Sequence, residues 1–278
     1  MFRISSFLAV ILTLSLARWA VAADLTVTTY TASEAGFLVN SHLIAGEKEA
    51  ILVDAQFTRS EAAKTVAFVR SSGKKLKYIF ITHAHPDHFF GLEVLHREFP
   101  EARILATAAT IAHLKVIAPK SIAYWKPVYK DDVPDTFVTP ERVSSTSIFL
   151  DGSEIQLLSM PGGESEHATV LWIPSIRAVL TGDLTYNEVH LWLRENRPEN
   201  WLEILDRLDA LLPAQVLTGH GSPGGADVIA QDRRYLQDYI AATAAPATRE
   251  QAIAKMKASY PDCALPIILE LAVAARVQ

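Results

Sequence analysis

The sequence predicts an α/β fold in which two sets of short strands are each followed by helices. Three observations support this prediction. The chain has 278 residues, 50% of them hydrophobic, which suits one large domain or two small ones. Runs of β-branched or alternating apolar residues occur in two separate stretches, and helical spacing of apolar residues follows each stretch. This composition excludes a disordered or collagen-like chain.

The N-terminal segment, residues 1–23, has the pattern of a secretory signal. Arg3 gives a positive start, Phe7–Leu16 forms an apolar core, and Ala20–Ala22 offers a small-residue cleavage site. The apolar core is too short for a bilayer span, which takes about 20 residues. An uncleaved anchor helix is the alternative. We therefore expect a secreted mature chain, residues 24–278, in a bacterial periplasm and free of the membrane after cleavage.

The first half of the mature chain alternates strands with helices. Ser60–Ser71 carries apolar residues at helical spacing and ends close to Gly73. The apolar run Leu76–Ile81 predicts a buried strand. The remaining elements of this half are strands at Leu25–Thr31, Gly36–Ile44, Ala50–Val53 and Arg103–Ala106, and helices at Gly91–Phe99 and Ala108–Ile117.

Residues 118–147 interrupt this alternation. They contain four prolines and several aromatic residues, which predict a long irregular loop or a loosely helical insertion. Long loops in compact domains are usually functional lids or disordered segments, and the aromatic residues favour a lid. Four aromatic side chains either line an apolar pocket or pack this lid against the body: Tyr124, Trp125, Tyr129 and Trp192.

The second half repeats the order of strands and then helices. An amphipathic helix over Asn200–Leu212 begins after Pro198 and is stopped by Pro213. Residues 245–278 predict C-terminal helices. The predicted strands are Ser147–Leu150, Glu154–Ser159, Ala168–Ile173, Ala178–Thr181 and Gln215–Thr218, and the predicted later helices are Ala226–Ala244, Arg249–Ser259 and Leu265–Val277.

Charge and cysteine content narrow the class of partner. The net charge is −5, and the chain has no basic run, so nucleic acid is excluded as a ligand. The single cysteine, Cys263, can form neither an internal disulfide nor a cysteine-rich zinc finger. We expect a small-molecule substrate, whereas the oligomeric state does not follow from the sequence.

Four potential metal ligands follow the predicted strand Leu76–Ile81. His83 and His85 are one residue apart, so an extended or turning backbone can direct both to one side. Asp87 and His88 begin a predicted helix, so their side chains diverge from the first pair. This geometry favours two neighbouring ions over one four-ligand cage, and imidazole with carboxylate suits a divalent ion such as zinc. Packing three imidazoles together without a metal or other partner is costly.

These residues form an H-x-H-x-D-H pattern, and further motifs follow at other predicted strand ends. They are Asp54 in Ile51-Leu-Val-Asp, His167 in Gly162-Gly-Glu-Ser-Glu-His-Ala, Asp183 in Leu180-Thr-Gly-Asp and His220 in Leu217-Thr-Gly-His-Gly. From about residue 25 to about residue 240 the sequence resembles the metallo-β-lactamase superfamily. The resemblance implies a four-layer αββα sandwich, in which helices flank two mixed β-sheets.

The resemblance also implies a pair of divalent ions, zinc foremost, with iron or manganese as alternatives. One ion would be held by His83, His85 and His167. The other would be held by Asp87, His88 and His220. Asp183 would bridge the two ions, and Asp54 would support the ligands from behind.

The implied activity is that of a metal-dependent hydrolase, in which a metal-bridging hydroxide opens an ester or lactone. Asp87 or a metal-bound water would protonate the leaving group. A carboxylate at position 183 favours ester-type substrates over β-lactams. Hydrolysis of a β-lactam amide and an iron-dependent oxidoreductase of the same fold are alternatives, because this fold carries many chemistries.

Tyr186 follows Asp183 by three residues. Some lactone-opening members of the superfamily have a tyrosine at a similar offset, whose hydroxyl reaches the substrate carbonyl. The resemblance therefore implies a catalytic role for Tyr186 as an oxyanion donor. A packing role is the alternative.

Overall fold

The computed structural model describes residues 24–277, which form two β-sheets packed face to face and covered by helices. The predicted signal, residues 1–23, lies outside the described residues and stays a prediction. In the described range, none of the helices has both the length and the apolar content that a bilayer crossing needs.

The first sheet has six strands in chain order. The first three strands are antiparallel neighbours, and the third to the sixth run parallel. Because parallel strands end at the same sheet edge, the turns that follow β3 and β4 meet there. The strands are β1 (Thr26–Thr31), β2 (Asn40–Ala45), β3 (Glu49–Val53), β4 (Lys75–Phe80), β5 (Arg103–Ala106) and β6 (Glu141–Arg142).

The second sheet has five strands in the order β11-β10-β9-β8-β7. Strands β10 and β11 pair in parallel, and the other neighbouring strands are antiparallel. The strands are β7 (Ser147–Leu150), β8 (Ser153–Pro161), β9 (His167–Ile173), β10 (Ala178–Asn187) and β11 (Gln215–Gly221).

Helices cover the outer face of each sheet. The first sheet packs against α1 (Arg59–Ser71), α2 (Pro86–Phe89), α3 (Leu92–Glu98) and α4 (Ala108–Tyr129). The second sheet packs against α5 (Pro198–Asp209), α6 (Asp227–Ala242), α7 (Arg249–Ser259) and α8 (Pro266–Arg276). The predicted four-layer αββα sandwich with two mixed sheets is confirmed.

Side-chain alternation along β3 shows how the layers form. Ile51 and Val53 enter the core between the two sheets, whereas Ala50 and Leu52 face the helices of the first sheet. Successive side chains of a strand point to opposite faces. A strand buried on both faces therefore reads as a continuous apolar run, as Ala50–Val53 does.

Helix α4 extends into the segment from residue 118, for which the sequence predicts either an irregular loop or a loosely helical insertion. It continues through Pro119 and Pro127 to Tyr129. Both prolines lie at exposed positions, where water can bind the carbonyl groups that proline leaves without a donor. Residues 133–140 have neither helix nor strand, as predicted. The lid function of this segment stays a prediction.

Strand β10 is longer than the sequence predicts. It continues past Thr181 to Asn187, although its pairing with β11 shifts register on either side of Gly182. Buried polar residues, including Asp183 and Thr185, break the apolar pattern that identifies strands. The irregular part of β10 lies at the site described next.

The two sheets are joined at one edge by buried polar contacts. The Asn40 side chain donates hydrogen bonds to the carbonyl oxygens of Thr218 and Gly221, at 2.8 Å and 2.7 Å. The His42 ring donates to the carbonyl of Thr218 at 2.9 Å. An isolated bridge pairs Val39 with His220. This junction fixes the end of β11 against the first sheet.

Candidate metal centre

Asp54 follows β3 and organises the turn after β4. Its backbone is left-handed, with φ of 64°, a conformation that aspartate tolerates better than most residues. Its Oδ1 accepts from the backbone N–H of Thr82 at 2.9 Å, and its Oδ2 accepts from the Thr82 hydroxyl at 2.8 Å. The same Oδ2 accepts from Nδ1 of His88 at 2.8 Å. Asp54 therefore orients other groups, as the predicted supporting role requires.

These contacts fix the protonation of the histidine rings. Because the Thr82 hydroxyl donates to Asp54, it accepts from Nδ1 of His83 at 2.9 Å. The Nδ1 atom of His220 donates to the carbonyl of Phe37 at 2.7 Å. With Nδ1 protonated in His83, His88 and His220, the lone pair of each neutral ring lies on Nε2, the atom available to a metal.

Asp183 on β10 lies at the middle of the cluster. Its Oδ1 is 2.9 Å from Nε2 of His88, and its Oδ2 is 3.2 Å from Nε2 of His220 and 3.6 Å from Nε2 of His83. Gly219 on β11 permits this position, because a Cβ there would lie 2.0 Å from Oδ1 of Asp183.

The ligand atoms form two groups that share Asp183. Atoms within each group lie within 4.8 Å of one another. The first group contains His83, His85, Glu164 and Asp183, and the second contains Asp87, His88, Asp183 and His220. The structure therefore brings together six of the seven residues that the resemblance implies as ligands.

The seventh residue, His167, lies apart from both groups. It is the first residue of β9, its side chain is 38% exposed, and its ring centre is 6.4 Å from that of His113. Glu164, in the turn before β9, takes the place in the first group that the resemblance implies for His167. The Glu164 carboxylate is 1% exposed, and its Oε1 is 2.7 Å from Nδ1 of His85.

The sequence signal for Glu164 is weak but visible. The residue directly follows the glycine pair Gly162-Gly163, which comes at the end of β8. Carboxylates bind divalent ions as histidines do, but the prediction favoured the imidazole of His167 in the same short segment. The turn geometry, with a left-handed Gly162, decides which of the two side chains points inward.

Buried polar atoms without hydrogen-bond partners test whether this cluster fits metal ions. Among the described residues these atoms include Nε2 of His83, Nε2 of His88, Oε1 of Glu164 and Oδ1 of Asp183. Leaving such atoms unsatisfied costs about 1–3 kcal/mol each. All four belong to the two groups, and mixed nitrogen and oxygen donors suit zinc, iron or manganese. The residues therefore fit a pair of divalent ions.

Charges within the cluster perturb its ionisable groups strongly. Burial alone raises the pKa of Asp183, but His220, His88 and His83 lower it well below its usual value. Burial lowers the pKa of His220, but Asp183 and Asp87 raise it to about 10. Burial also lowers the pKa of His85, but the Glu164 carboxylate raises it to about 9. A proton on these rings therefore competes with a metal ion at neutral pH.

Asp87 combines a place in the second group with access to the cavity. Its side chain is 15% exposed, and its Oδ2 is 3.3 Å from Nε2 of His220. Burial raises the pKa of Asp87, but His88 and His220 lower it to about 2. The carboxylate is therefore ionised at neutral pH.

Tyr186 lies beside Asp183 and His220. Its hydroxyl donates to Oδ2 of Asp183 at 2.9 Å, and its ring stacks on the His220 ring with 4.9 Å between centres. Burial and then Asp183 raise the pKa of this hydroxyl well above its usual value, so it remains a donor. The structure gives the hydroxyl a partner other than substrate, and the predicted substrate contact stays a prediction.

A cavity of about 500 Å³ opens onto this centre. His85, Asp87, Asp183 and His220 form part of its lining, and the walls come from α4, α8 and the segment after β10. Of the four aromatic residues predicted to line a pocket or to pack, Tyr124, Trp125 and Trp192 line the cavity. Tyr129 packs instead on Phe57, with 4.8 Å between ring centres.

Known proteins are similar in sequence to parts of this chain. Metallo-β-lactamase type 2 of Bacteroides fragilis is 23% identical over 221 residues, which cover 74% of this chain and 78% of that protein. The linear primary-alkylsulfatase of a Pseudomonas species is 25% identical over 229 residues, 69% of this chain and 43% of that one. An uncharacterised Bacillus subtilis protein is 38% identical over 69 residues, 25% of this chain and 29% of its own length. The chain thus spans less than half of two of these relatives.

Solved structures share the fold. A metallo-β-lactamase family protein from Thermus thermophilus superposes with a TM-score of 0.67 at 19% identity, over 91% of each chain. A metallo-β-lactamase from Pontibacter korlensis superposes with a TM-score of 0.57 at 18% identity, over 77% of this chain and 99% of that one. At these identities the similarity establishes the architecture alone.

The family assignment rests on the sequence profile of the metallo-β-lactamase superfamily, which matches residues 35–220. The matched range contains both candidate ligand groups. The profile match and the ligand groups together support divalent metal binding and the activity class of a metal-dependent hydrolase. The chain belongs to the metallo-β-lactamase superfamily.

Proposed function

We propose that this protein hydrolyses esters, including lactones, of small molecules with an apolar acyl or alkyl part, and that zinc fills its two metal sites. The observation that carries the proposal is the place of Asp183. This carboxylate belongs to both ligand groups and lies at the inner end of the 500 Å³ cavity. A cavity of this size suits a small molecule.

Divalent ions bound here would supply Lewis acidity and lower the pKa of water that they bind. The chain supplies the orientation. Asp54 and Thr82 hold the rings of His88 and His83 from behind, and the Phe37 carbonyl holds the ring of His220. Such supporting hydrogen bonds typically change metal affinity or activity by about 10–100-fold.

Asp87 is the residue of this site best placed to move a proton. In ester hydrolysis, water oxygen bonds to the acyl carbon, the bond from that carbon to the leaving oxygen breaks, and one water proton ends on the leaving oxygen. The Asp87 carboxylate faces the cavity and is ionised at neutral pH. We propose that its Oδ2 accepts the proton and passes it to the leaving oxygen.

The cavity walls support an apolar substrate. Ile117 and Trp125 of α4, Ile268 of α8 and Trp192 all contribute to the lining. Aliphatic and aromatic walls favour burial of an apolar group over that of an ionised phosphodiester.

A sulfate ester is a second candidate substrate. Lys120 and Arg194 line the same cavity, and neither forms an ion pair with any described residue. Glu195 also lines it, and Asp87 and Asp183 at the metal centre bring the lining carboxylates to three, so the two cations would contact the sulfate away from the ligand groups. The similarity to a linear primary-alkylsulfatase gives this candidate independent support.

A substrate panel at fixed metal content tests the proposal. It contains p-nitrophenyl butyrate, a γ-lactone, p-nitrophenyl sulfate, a chromogenic cephalosporin and bis(p-nitrophenyl) phosphate. We expect the highest kcat/KM for the butyrate ester or the lactone, and loss of that activity in Asp183→Asn. Highest turnover of the cephalosporin would contradict the proposal, as would full activity of Asp183→Asn. Metal analysis of the purified protein distinguishes zinc from iron and manganese.

A further inference from the structure

Exposed apolar side chains concentrate on α4 and α8, two helices that line the cavity. Seven large apolar side chains are exposed in the described part of the chain, and five of them lie on α4 and α8. These five are Val116, Tyr124, Val128, Ile267 and Leu271. Exposed apolar side chains scattered singly need no explanation, whereas a contiguous group marks a binding surface.

Three of the five also line the cavity itself. Tyr124 is 63% exposed, Ile267 is 50% exposed and Leu271 is 37% exposed, and all three line the cavity. We name these three residues the apolar rim. Ile267 and Leu271 are four residues apart on α8, so they share one face of that helix.

Helix α4 presents a matching face. Its cavity-lining residues are Ile117, Lys120, Ser121, Tyr124 and Trp125. Their spacing of three and four residues places them along one side of the helix. The cavity that α4 and α8 line is therefore mostly apolar, with Lys120 and Ser121 as polar exceptions on α4, and its lining includes both the apolar rim and the ligand residues His85 and Asp183.

We propose that the apolar rim binds the aliphatic chain of a long-chain substrate while the bond to be cleaved lies at the metal centre. This inference rests on the proposed ester hydrolysis at the same centre. The occupant must touch the exposed rim and also reach the ligands at the base of the cavity. A flexible aliphatic chain that ends in an ester does both, and each methylene that it buries contributes about the same transfer free energy.

The test is the dependence of hydrolysis on chain length. We expect kcat/KM for p-nitrophenyl esters, below their micellar concentrations, to rise from acetate to dodecanoate by about threefold to fourfold for each methylene that reaches the rim. In the double variant Ile267→Ser, Leu271→Ser the ratio of the dodecanoate value to the acetate value should fall at least tenfold.

A matched control comes from exposed apolar residues elsewhere. Leu212 is 68% exposed and Phe149 is 57% exposed, and neither lines the cavity. The double variant Leu212→Ser, Phe149→Ser removes exposed apolar surface in the same way. Its chain-length ratio should match that of the unmodified enzyme, and an equal loss in both double variants would overturn the inference.

A binding measurement separates this inference from the proposed function. The fluorescent fatty acid 11-(dansylamino)undecanoic acid should bind the enzyme, and the rim variant should weaken binding at least tenfold. If no ester is hydrolysed but this result holds, the chain site stands and the proposed function falls. If esters are hydrolysed with no dependence on chain length and the rim variant binds the probe normally, the inference falls alone. A dimer that buries the rim, detected by sedimentation, would also overturn it.

Discussion

Glu164 and His167 are three residues apart, yet only Glu164 turns toward the metal centre. Its carboxylate is buried and 2.7 Å from His85, while His167 is 38% exposed beside Glu166. The backbone turn at Gly162, which joins the glycine N–H to the carbonyl of Glu166, produces this difference. Side-chain chemistry alone predicts either residue as a ligand.

Replacing each of these two residues in turn tests the assignment. We expect Glu164→Gln to retain its fold and to lose about one of two bound ions, because the first group then keeps one carboxylate. His167→Ala should bind two ions per chain. Metal-to-protein ratios, with circular dichroism to verify folding, give the answer. Loss of an ion in His167→Ala but not in Glu164→Gln would show that His167 is the ligand, as the sequence resemblance implies, and that Glu164 is not.

Tyr186 offers a second test at the scale of one atom. In Tyr186→Phe the ring still stacks on His220, but Oδ2 of Asp183 loses the donor at 2.9 Å. We expect metal affinity to fall about 10–100-fold, as measured by competition with a chelator. The reference variant is Tyr239→Phe, which removes a buried hydrogen bond to the Ala272 carbonyl and should lower only the unfolding free energy, by about 1 kcal/mol.

The kinetic response of Tyr186→Phe distinguishes two roles. Unchanged metal affinity with reduced kcat would show that the hydroxyl contacts the reacting substrate, the role that the sequence resemblance implies. Reduced metal affinity would show that it orients Asp183. The sequence could not distinguish the two roles, because a carboxylate oxygen of Asp183 and a substrate carbonyl oxygen can both accept a hydrogen bond from the phenol.

Among the elements, β10 and β11 determine how closely the ligands approach. Parallel pairing brings Gly219 against Asp183, with space for a hydrogen but not for a methyl group. The sequence motifs around Asp183 and His220 identify both segments. The register shift that lets the carboxylate lie beneath Gly219 depends on long-range pairing and leaves no local sequence signal.

Gly219→Ala should therefore disrupt the centre although it replaces none of the ligand residues. Its Cβ would lie 2.0 Å from Oδ1 of Asp183, which forces the carboxylate or the strand to move. We expect the variant to fold with an unfolding free energy lower by about 1–3 kcal/mol and to bind fewer than two ions. At Gly225 an added Cβ meets only the exposed Asp227 side chain, so Gly225→Ala should bind metal normally. Normal metal binding by Gly219→Ala would refute the packing argument.

Helix α4 shows what local rules miss. Pro119 and Pro127 disfavour a helix interior and left an irregular loop open as a prediction, yet one helix of 22 residues includes both prolines. Tertiary contacts offset the lost backbone hydrogen bonds, since Trp125 and Tyr129 pack on Phe57 with ring centres 5.2 Å and 4.8 Å away. Proline statistics describe isolated helices, whereas these aromatic contacts join residues about 70 positions apart.

At the scale of the whole molecule, the order of strands and helices could be predicted because periodicity is local. Arg103–Ala106, Ser147–Leu150 and Arg249–Ser259 match their predicted bounds. The way the two sheets meet could not be predicted from periodicity. The Asn40 and His42 contacts to Thr218 that join them come from polar side chains in the first half of β2, and their partners lie in the other half of the chain.

Stability of the whole domain should depend on pH through His190. Burial lowers the pKa of this histidine to about 4, with a smaller effect of Lys257, and its Nδ1 lies 2.8 Å from the Tyr235 hydroxyl. Its pKa in the unfolded chain is about 6.5. Because the folded value is lower, the unfolded chain binds more protons below pH 6.5. The stabilising contribution is therefore complete above that pH and is lost as the pH falls toward 4.

Urea unfolding of the chelated protein at pH 7.0 and pH 5.0 measures this effect. We expect the drop in unfolding free energy between the two values to be smaller in His190→Gln than in the unmodified protein. His96 is exposed on α3, and His96→Gln should leave the drop unchanged. An equal drop in all three proteins would exclude His190 as a source of acid sensitivity.

The distribution of ligands over the chain has a mechanical consequence. The first half of the chain contributes residues 83–88, and the second half contributes Glu164, Asp183 and His220. Bound ions would therefore act as cross-links that close a loop of roughly 130 residues between His88 and His220, comparable to a disulfide that restricts the unfolded chain by about 5 kcal/mol. In this protein, whose single cysteine cannot form an internal disulfide, bound metal ions would thus provide the cross-link. Its resistance to pulling, heat and proteases would rise and fall with metal supply.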